Sequence, residues 1–159
     1  MPTLRPGLDS DGDGIAALIA AVFAEYPGCP FVRDEFPELA QPARHYAAKG
    51  GGLWVLEANG AVVGCFAISR VDGTDIFEIH KVYLARSLRG FGHAGRLWDA
   101  AIGEAARRGA TALRLWTDTR FDSGHRFYEK RGFRRLPVTR FLADATNAWE
   151  YAYVLAPLP

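Results

Sequence analysis

The run Arg89-Gly90-Phe91-Gly92-His93-Ala94-Gly95 lies between a β-rich stretch and the longest helical pattern in the chain, and no other segment restricts the fold as much. Glycines at the mouth of a helix let backbone N–H groups come close to an anion, and the positive end of the helix dipole favours the anion's charge. Such a turn needs a strand leading in and a helix leading out, so it demands an α/β architecture. Arg89 places a cation immediately before the turn, and the small side chain of Ala94 leaves the approach open. Gly90 to Gly95 also spells GxGxxG, with Asp118 at the end of the next strand, which is the pattern of a nicotinamide-dinucleotide site. The polar link Arg86-Ser87-Leu88-Arg89 separates strand from first glycine, and too little chain follows for a doubly wound sheet. A dinucleotide enzyme is therefore the lesser alternative.

Gly and Pro punctuate the chain at intervals that suit short alternating elements, with no repeat or linker. Thr3 to Gly7 reads as an edge strand, and Gly14 to Glu25 as a helix capped by the Asp-rich turn before it, with Ile15, Leu18, Ile19, Val22 and Phe23 on one stripe. Ala-rich Glu38 to Lys49 reads as a second helix closed by Gly50-Gly51-Gly52. Leu53 to Ala58 and Val62 to Val71 flank Asn59-Gly60, a two-residue hairpin signal, and a third strand spans Ile76 to Leu84. Gly92 to Arg108 carries Leu97, Trp98, Ala101, Ile102 and Ala105 at helical spacing. Ala112 to Trp116 reads as a strand, Ser123 to Arg131 as a short helix, and Phe133 to Leu142 and Trp149 to Leu155 as late strands.

The expected fold is α/β, a mixed, mostly antiparallel sheet flanked by helices. Its Ile76 to Leu84 and Ala112 to Trp116 strands run parallel, joined by the long helix. At 159 residues and 49% hydrophobic content, the chain suits a single domain over 1–159.

Charge removes several function classes. The net charge is +1 with Lys and Arg scattered, which argues against a nucleic-acid stripe or an anionic membrane surface as partner. No apolar stretch is long enough to cross a bilayer and the start lacks a signal-peptide pattern, so a cytoplasmic location is expected. Cys29 and Cys65 share no metal-ligand spacing with the histidines; reduced thiols and no metal are expected. Asp9 to Gly14 matches the first half of a calcium loop, but Ala20 stands where a bidentate Glu must close the coordination sphere, so these carboxylates read as a helix cap. Ser123-Gly124-His125 has no surrounding GxSxG and reads as a cap rather than a nucleophile.

Arg89-Gly90-Phe91-Gly92-His93-Ala94 fits an Arg/Gln-x-x-Gly-x-Gly/Ala signature, and on it the chain resembles the GNAT superfamily of N-acetyltransferases along most of its length. Val82-Tyr83-Leu84-Ala85 is similar to that family's pantetheine-contacting strand. The resemblance implies that the backbones at Val82 and Leu84 bind the pantetheine arm of acetyl-CoA, and that the amides from Gly90 to Gly95 hold its phosphates. It also implies that the two parallel strands splay apart to admit the cofactor. Phe127-Tyr128-Glu129-Lys130-Arg131-Gly132-Phe133 resembles the segment whose Tyr is the usual general acid. The Asn often found seven residues before that Tyr is Phe121 here, which removes one side-chain contact to the cofactor.

The residues themselves suit this chemistry. An amine with a pKa near about 10 is an ammonium at neutral pH and must lose a proton before attacking a thioester. Alternation places Glu78 and His80 on the face that carries Val82, and either could take that proton; Glu78 is favoured, since His80 could instead fill a polar position on the sheet. Tyr128, a phenol of pKa about 10 against about 8.5 for a thiol, suits protonation of the leaving thiolate. Acceptor contacts are expected from the irregular segment around Glu25, Tyr26, Phe31 and Arg33 and the turn around Trp116, Asp118 and Arg120. Acidic groups there would suit a cationic amine and the two arginines a carboxylate, so a small molecule or a peptide amine both fit. The reading is acetyl transfer from acetyl-CoA to a primary amine by direct attack; a non-catalytic acyl-CoA-binding or sensing domain of the same fold is the second. The late strands and the resembled family point to a homodimer.

Overall fold

The computed structural model describes residues 1–158. Seven strands form one sheet: β1 (Thr3–Pro6), β2 (Gly52–Ala58), β3 (Ala61–Arg70), β4 (Ile76–Leu84), β5 (Ala112–Asp118), β6 (Arg134–Phe141) and β7 (Trp149–Leu155), in the order β1-β2-β3-β4-β5-β7-β6. Four helices flank it: α1 (Gly12–Phe23), α2 (Pro42–Ala48), α3 (His93–Arg107) and α4 (Asp122–Lys130). Neighbouring strands are antiparallel except β4 and β5, which are parallel and joined by α3, as the sequence predicts.

Both faces of the central strands are covered, which is why β3 reads as a continuous apolar run rather than an alternating one. Cys65 and Ala67 share a cluster with Ile15 and Ile19 of α1, Tyr46 of α2 and Leu39 of the turn before α2. Phe66 and Ile68 meet the stripe of α3, Leu97, Ala101, Ile102 and Ala105, with Tyr128 of α4 in the same cluster. Each large side chain fully buried here contributes about 1.5–3 kcal/mol.

Three local expectations are corrected. Helix α1 begins and ends two residues earlier than the sequence suggests, because Asp9–Asp11 forms a 3-10 turn that runs straight into it. The Asp11 carboxylate does not cap α1: it accepts the Leu8 N–H at 2.7 Å and both guanidinium nitrogens of Arg5 at 2.8 Å, which hold its carboxyl below the usual range. The helix expected over Glu38 to Lys49 is divided into a 3-10 turn, Pro37–Ala40, and α2, since Pro42 has no N–H for a continuous helix and sits naturally in a first turn.

The glycines after α2 do different work. Gly50, at φ +72°, makes the left-handed helix exit, whereas Gly51 passes so close to β3 that a Cβ there would lie 1.7 Å from the Ile68 carbonyl oxygen. Gly51→Ala is expected to destabilise the fold by about 2–3 kcal/mol, by overpacking against a strand that cannot move. Urea unfolding checks this; an unchanged midpoint would contradict the close packing.

Candidate active site

The site forms where β4 and β5 part. They pair only at Ile76↔Ala112, Phe77↔Leu113 and Glu78↔Arg114, after which β5 pairs with β7 alone, as far as Asp118↔Glu150. Strand β4 bends away through a bulge: Cys65 pairs with Tyr83 and Ala67 with His80, so that Lys81 and Val82 together oppose Phe66. Lys81 takes φ +54° there, and its carbonyl accepts the Cys65 thiol at 3.0 Å.

The bulge overturns one expectation from strand alternation. Phe77 and Ile79 pack toward α3, leaving Glu78 and His80 on the α1 and α2 face; past the bulge, Val82 and Leu84 join the α3 side instead. Val82 therefore does not share a face with Glu78 and His80. An inserted residue inverts a period-two pattern, and nothing in the residue types at 80–82 announces it.

Two cavities open into the wedge, of about 540 Å³ and 500 Å³. The larger is lined by Arg89, Gly90, Gly92, His93, Ala94 and Gly95; the smaller by Glu78, His80, Lys81, Asp118 and Glu150 among others. Val82, Tyr83, Thr117, Phe121 and Tyr128 line both, so the cavities meet at these residues.

The larger cavity has backbone geometry that suits an anion. Gly90 and Gly92 take φ +87° and +84°, and a Cβ on either would meet nothing within 4 Å. The backbone N–H groups from Gly90 to Gly95 donate to no backbone or side-chain acceptor among the described residues; the first helical bond of α3 is Arg96 N–H to Gly92 C=O at 3.2 Å. Consecutive free amides at the positive end of a 15-residue helix are what a pyrophosphate needs. Arg126 and Lys130 of α4, and Arg131 just after it, add cations to the lining, the Arg131 guanidinium beside Gly95.

The Arg89 guanidinium, expected at the phosphates, is held elsewhere in this structure. It forms a two-point ion pair with Glu25 at 2.6 and 2.8 Å and donates to the Leu84 carbonyl at 3.0 and 3.2 Å. Arg89 thus ties the end of α1 to the exit of β4, and Leu84 offers its carbonyl to Arg89.

Tyr128 stands at the junction. Only 6% of it is exposed, its hydroxyl has no hydrogen-bond partner, and burial pushes its pKa up. The phenol keeps its proton at neutral pH, so it has a proton to give and does not serve as a base. Glu78 and His80 lie together on the wall of the smaller cavity, Oε2 to Nε2 at 3.5 Å. Glu78 Oε1 is anchored by Arg114 at 2.6 Å, and His80 Nε2 is 2.8 Å from Ser69 Oγ.

Burial pushes the His80 pKa down to about 4, against the pull of Glu78. A His kept neutral in the folded state takes up its proton only after the unfolded state has taken one, so its contribution weakens stability as pH falls from about 6.5 to about 4. His80→Gln is expected to flatten this part of the stability profile, read as the wild-type-minus-variant difference in urea midpoint across that window. A difference independent of pH would contradict a neutral buried imidazole.

Residues 18–133 match the model of the acetyltransferase (GNAT) family. The chain belongs to this family. It is 31% identical over 142 residues to the uncharacterized N-acetyltransferase YjgM of Escherichia coli, covering 85% of this chain and 83% of that one. It is 30% identical over 155 residues to an uncharacterized N-acetyltransferase of Mycobacterium tuberculosis, covering 91% and 97%. The fold is that of an acetyltransferase from Streptococcus agalactiae (TM-score 0.81, 21% identity, 98% of each chain) and of a GNAT acetyltransferase from Staphylococcus aureus (TM-score 0.78, 20% identity, 95% of this chain and 98% of that one). The doubly wound sheet of a dinucleotide enzyme is not what this GNAT chain forms, since a single strand pair is parallel among the described residues.

Within this candidate site, the structure separates the residues expected to bind the acceptor. Tyr26 lines the larger cavity and packs on Phe121 at 5.0 Å between ring centroids. Asp118 lines the smaller, with Arg120 bound to it at 2.6 and 2.9 Å and itself outside the lining. Arg33 pairs with Asp13 at 3.1 Å and lines neither cavity. Sequence reasoning missed Glu150 and Asp144, which reach the smaller cavity from β7 and the loop before it, and the cations Arg126, Lys130 and Arg131 on and just after α4; the 126, 130, 131 spacing was the available signal for the latter.

Proposed function

We propose that this GNAT acetyltransferase uses the larger cavity for acetyl-CoA and the smaller for a primary amine, which attacks the acetyl group directly. One observation carries the reading: a turn of free amides and a carboxylate-lined cavity meet at the unpartnered hydroxyl of a tyrosine whose ring is buried. Acetyl-CoA, when bound, supplies an activated thioester. The free amides of Gly90 to Gly95 and the dipole of α3 suit its phosphates, and the small, open surfaces at Gly90, Gly92 and Ala94 allow their approach.

In this reading the backbone at Val82 and Leu84 faces the cofactor's extended arm. Tyr128 gives its proton to the departing sulfur. Glu78 and His80 take the proton from the amine; the neutral imidazole is available as an acceptor throughout the neutral range. The cytoplasm is the proposed compartment. A homodimer is proposed on the edge strand β6, where Val138, Phe141, Leu142 and the neighbouring Trp149 are exposed, with Phe141 and Trp149 in ring contact at 5.1 Å. A monomeric mass in light scattering would remove the dimer.

Calorimetric titration with acetyl-CoA, with NADH in parallel, followed by detection of free CoA thiol in the presence of amines, tests the central claim. Acetyl-CoA binding without NADH binding, and amine-dependent thiol release, are expected. Absence of acetyl-CoA binding by folded protein overturns it.

A further inference from the structure

The smaller cavity carries more negative charge than acetyl transfer requires. Six carboxylates line it, those of Glu35, Glu38, Glu78, Asp118, Asp144 and Glu150, against the cations Lys81 and Arg140. Four are neutralised by a neighbour: Glu38 by Lys81 at 3.1 Å, Glu78 by Arg114 at 2.6 Å, Asp118 by Arg120 at 2.6 Å and Glu150 by Arg140 at 2.7 Å.

Glu35 and Asp144 have no cationic partner within 4.0 Å among the described residues. Their contacts are neutral. Glu35 accepts the Ala145 N–H at 2.9 Å, and Asp144 accepts the Thr146 hydroxyl at 2.9 and 3.0 Å and the Ala148 N–H at 3.0 Å. The first of these bonds ties the turn Arg33–Glu35 to the loop between β6 and β7, so both carboxylates belong to one rim. Neither lines the larger cavity.

The negative field is felt inside. Burial pushes the Glu150 carboxyl up in spite of the bond from Arg140, and Asp118 and Asp144 push it in the same direction. At the junction the unpartnered hydroxyl of Tyr128, on a side chain otherwise buried, opens on the same space. One cavity therefore holds two polar subsites: a proton donor at the transfer end and two uncompensated carboxylates at the mouth, where Glu35 is exposed.

We infer that the acceptor is a small dication, a diamine that is acetylated on one nitrogen beside Tyr128 while its other ammonium rests against Glu35 and Asp144. This rests on the acetyl-transfer reading above. The reacting ammonium loses two protons as the N–C bond forms and the C–S bond breaks. One proton leaves to solvent by way of Glu78 and His80, and one ends on the released thiol; the second ammonium is unchanged. A carboxylate in place of that ammonium would meet like charge at the rim, and a methyl group would leave the two carboxylates uncompensated.

The test compares putrescine, n-butylamine and γ-aminobutyrate, which share a four-carbon chain and differ in the remote group, by acetyl-CoA-dependent thiol release and by acetyl-CoA titration of the same preparation. Putrescine is expected to exceed n-butylamine in kcat/KM by about tenfold or more, with γ-aminobutyrate poorest. Asp144→Asn is expected to shrink the putrescine to n-butylamine ratio. Because Asp144 also braces its own loop, Glu35→Gln and Glu35→Lys at the exposed rim provide the independent check: the first shrinks the ratio and the second inverts the order of putrescine and γ-aminobutyrate. If protein that binds acetyl-CoA turns over n-butylamine or γ-aminobutyrate as well as putrescine, turns over none of the three, or keeps its order in Glu35→Lys, the dication inference is overturned and acetyl transfer is not. Failure to bind acetyl-CoA overturns the acetyl-transfer reading itself.

Discussion

Tyr128→Phe is expected to lower kcat for acetyl transfer by about 10²-fold, the usual size of a general-acid contribution. The substitution keeps the ring and its packing against Phe133 and Tyr153, at 5.6 and 6.2 Å between centroids. It removes a hydroxyl that bonds to nothing else in the protein, so the loss cannot be traced to a broken structural contact. An interaction made only as the thiolate departs changes kcat and kcat/KM together, and the two are expected to fall in parallel. Steady-state kinetics at saturating amine measures this. Turnover equal to wild type would remove the donor role, whereas acetyl-CoA binding with no turnover by the wild type itself would favour an acyl-CoA-binding module without catalysis.

Gly92→Val is expected to weaken acetyl-CoA binding by at least about 100-fold, through a combination of backbone strain and blockage. Gly92 takes φ +84° as the residue before α3, a conformation that a β-branched side chain resists. Relieving that strain rotates the adjacent amides out of the array from Gly90 to Gly95. A side chain accommodated without relief would instead project into space that is now open. Gly73→Val is the matched control, since Gly73 also has a left-handed φ, +71°, lies in the turn between β3 and β4 and lines neither cavity. The control is expected to lose stability and keep acetyl-CoA affinity. Calorimetric titration distinguishes the two, and near-wild-type binding by folded Gly92→Val would place the phosphates elsewhere.

The contrast between these two sites shows what kind of information a linear sequence holds. The cradle was legible because its parts are contiguous: glycines, a small residue and a helix start within one short run, with chemistry set by local backbone geometry. The same is true of the Asn59-Gly60 hairpin and of strand β4, whose bounds agree with the structure residue for residue. Tyr128 was legible through the segment around it. The face shared by Glu78 and His80 followed from alternation, but the extension of that face to Val82 did not, because one extra residue against Phe66 reverses the period. The helix expected from Glu38 to Lys49 is divided for a local reason present in the sequence: Pro42, which lacks an N–H, starts a new helix in spite of the alanines around it.

Electrostatic pairing belongs to a different category. Arg89 was expected to meet phosphate and in this structure meets Glu25, sixty-four positions away along the chain. Asp118 and Arg120 were both read as acceptor contacts, and they neutralise each other. Glu35 and Asp144 drew no attention in the sequence, where isolated acidic residues in loops are ordinary; they matter because the fold sets them on one rim without a cation. By itself, the sequence determined the α/β class, most element boundaries and the glycine turn that opens α3, and it singled out Tyr128 by the segment around it, since each depends on residues close together in the chain. The tertiary structure alone decided where β4 bends, which charges are spent on one another and which remain facing the cavity, because burial and partners a hundred residues apart set the energy of a charge.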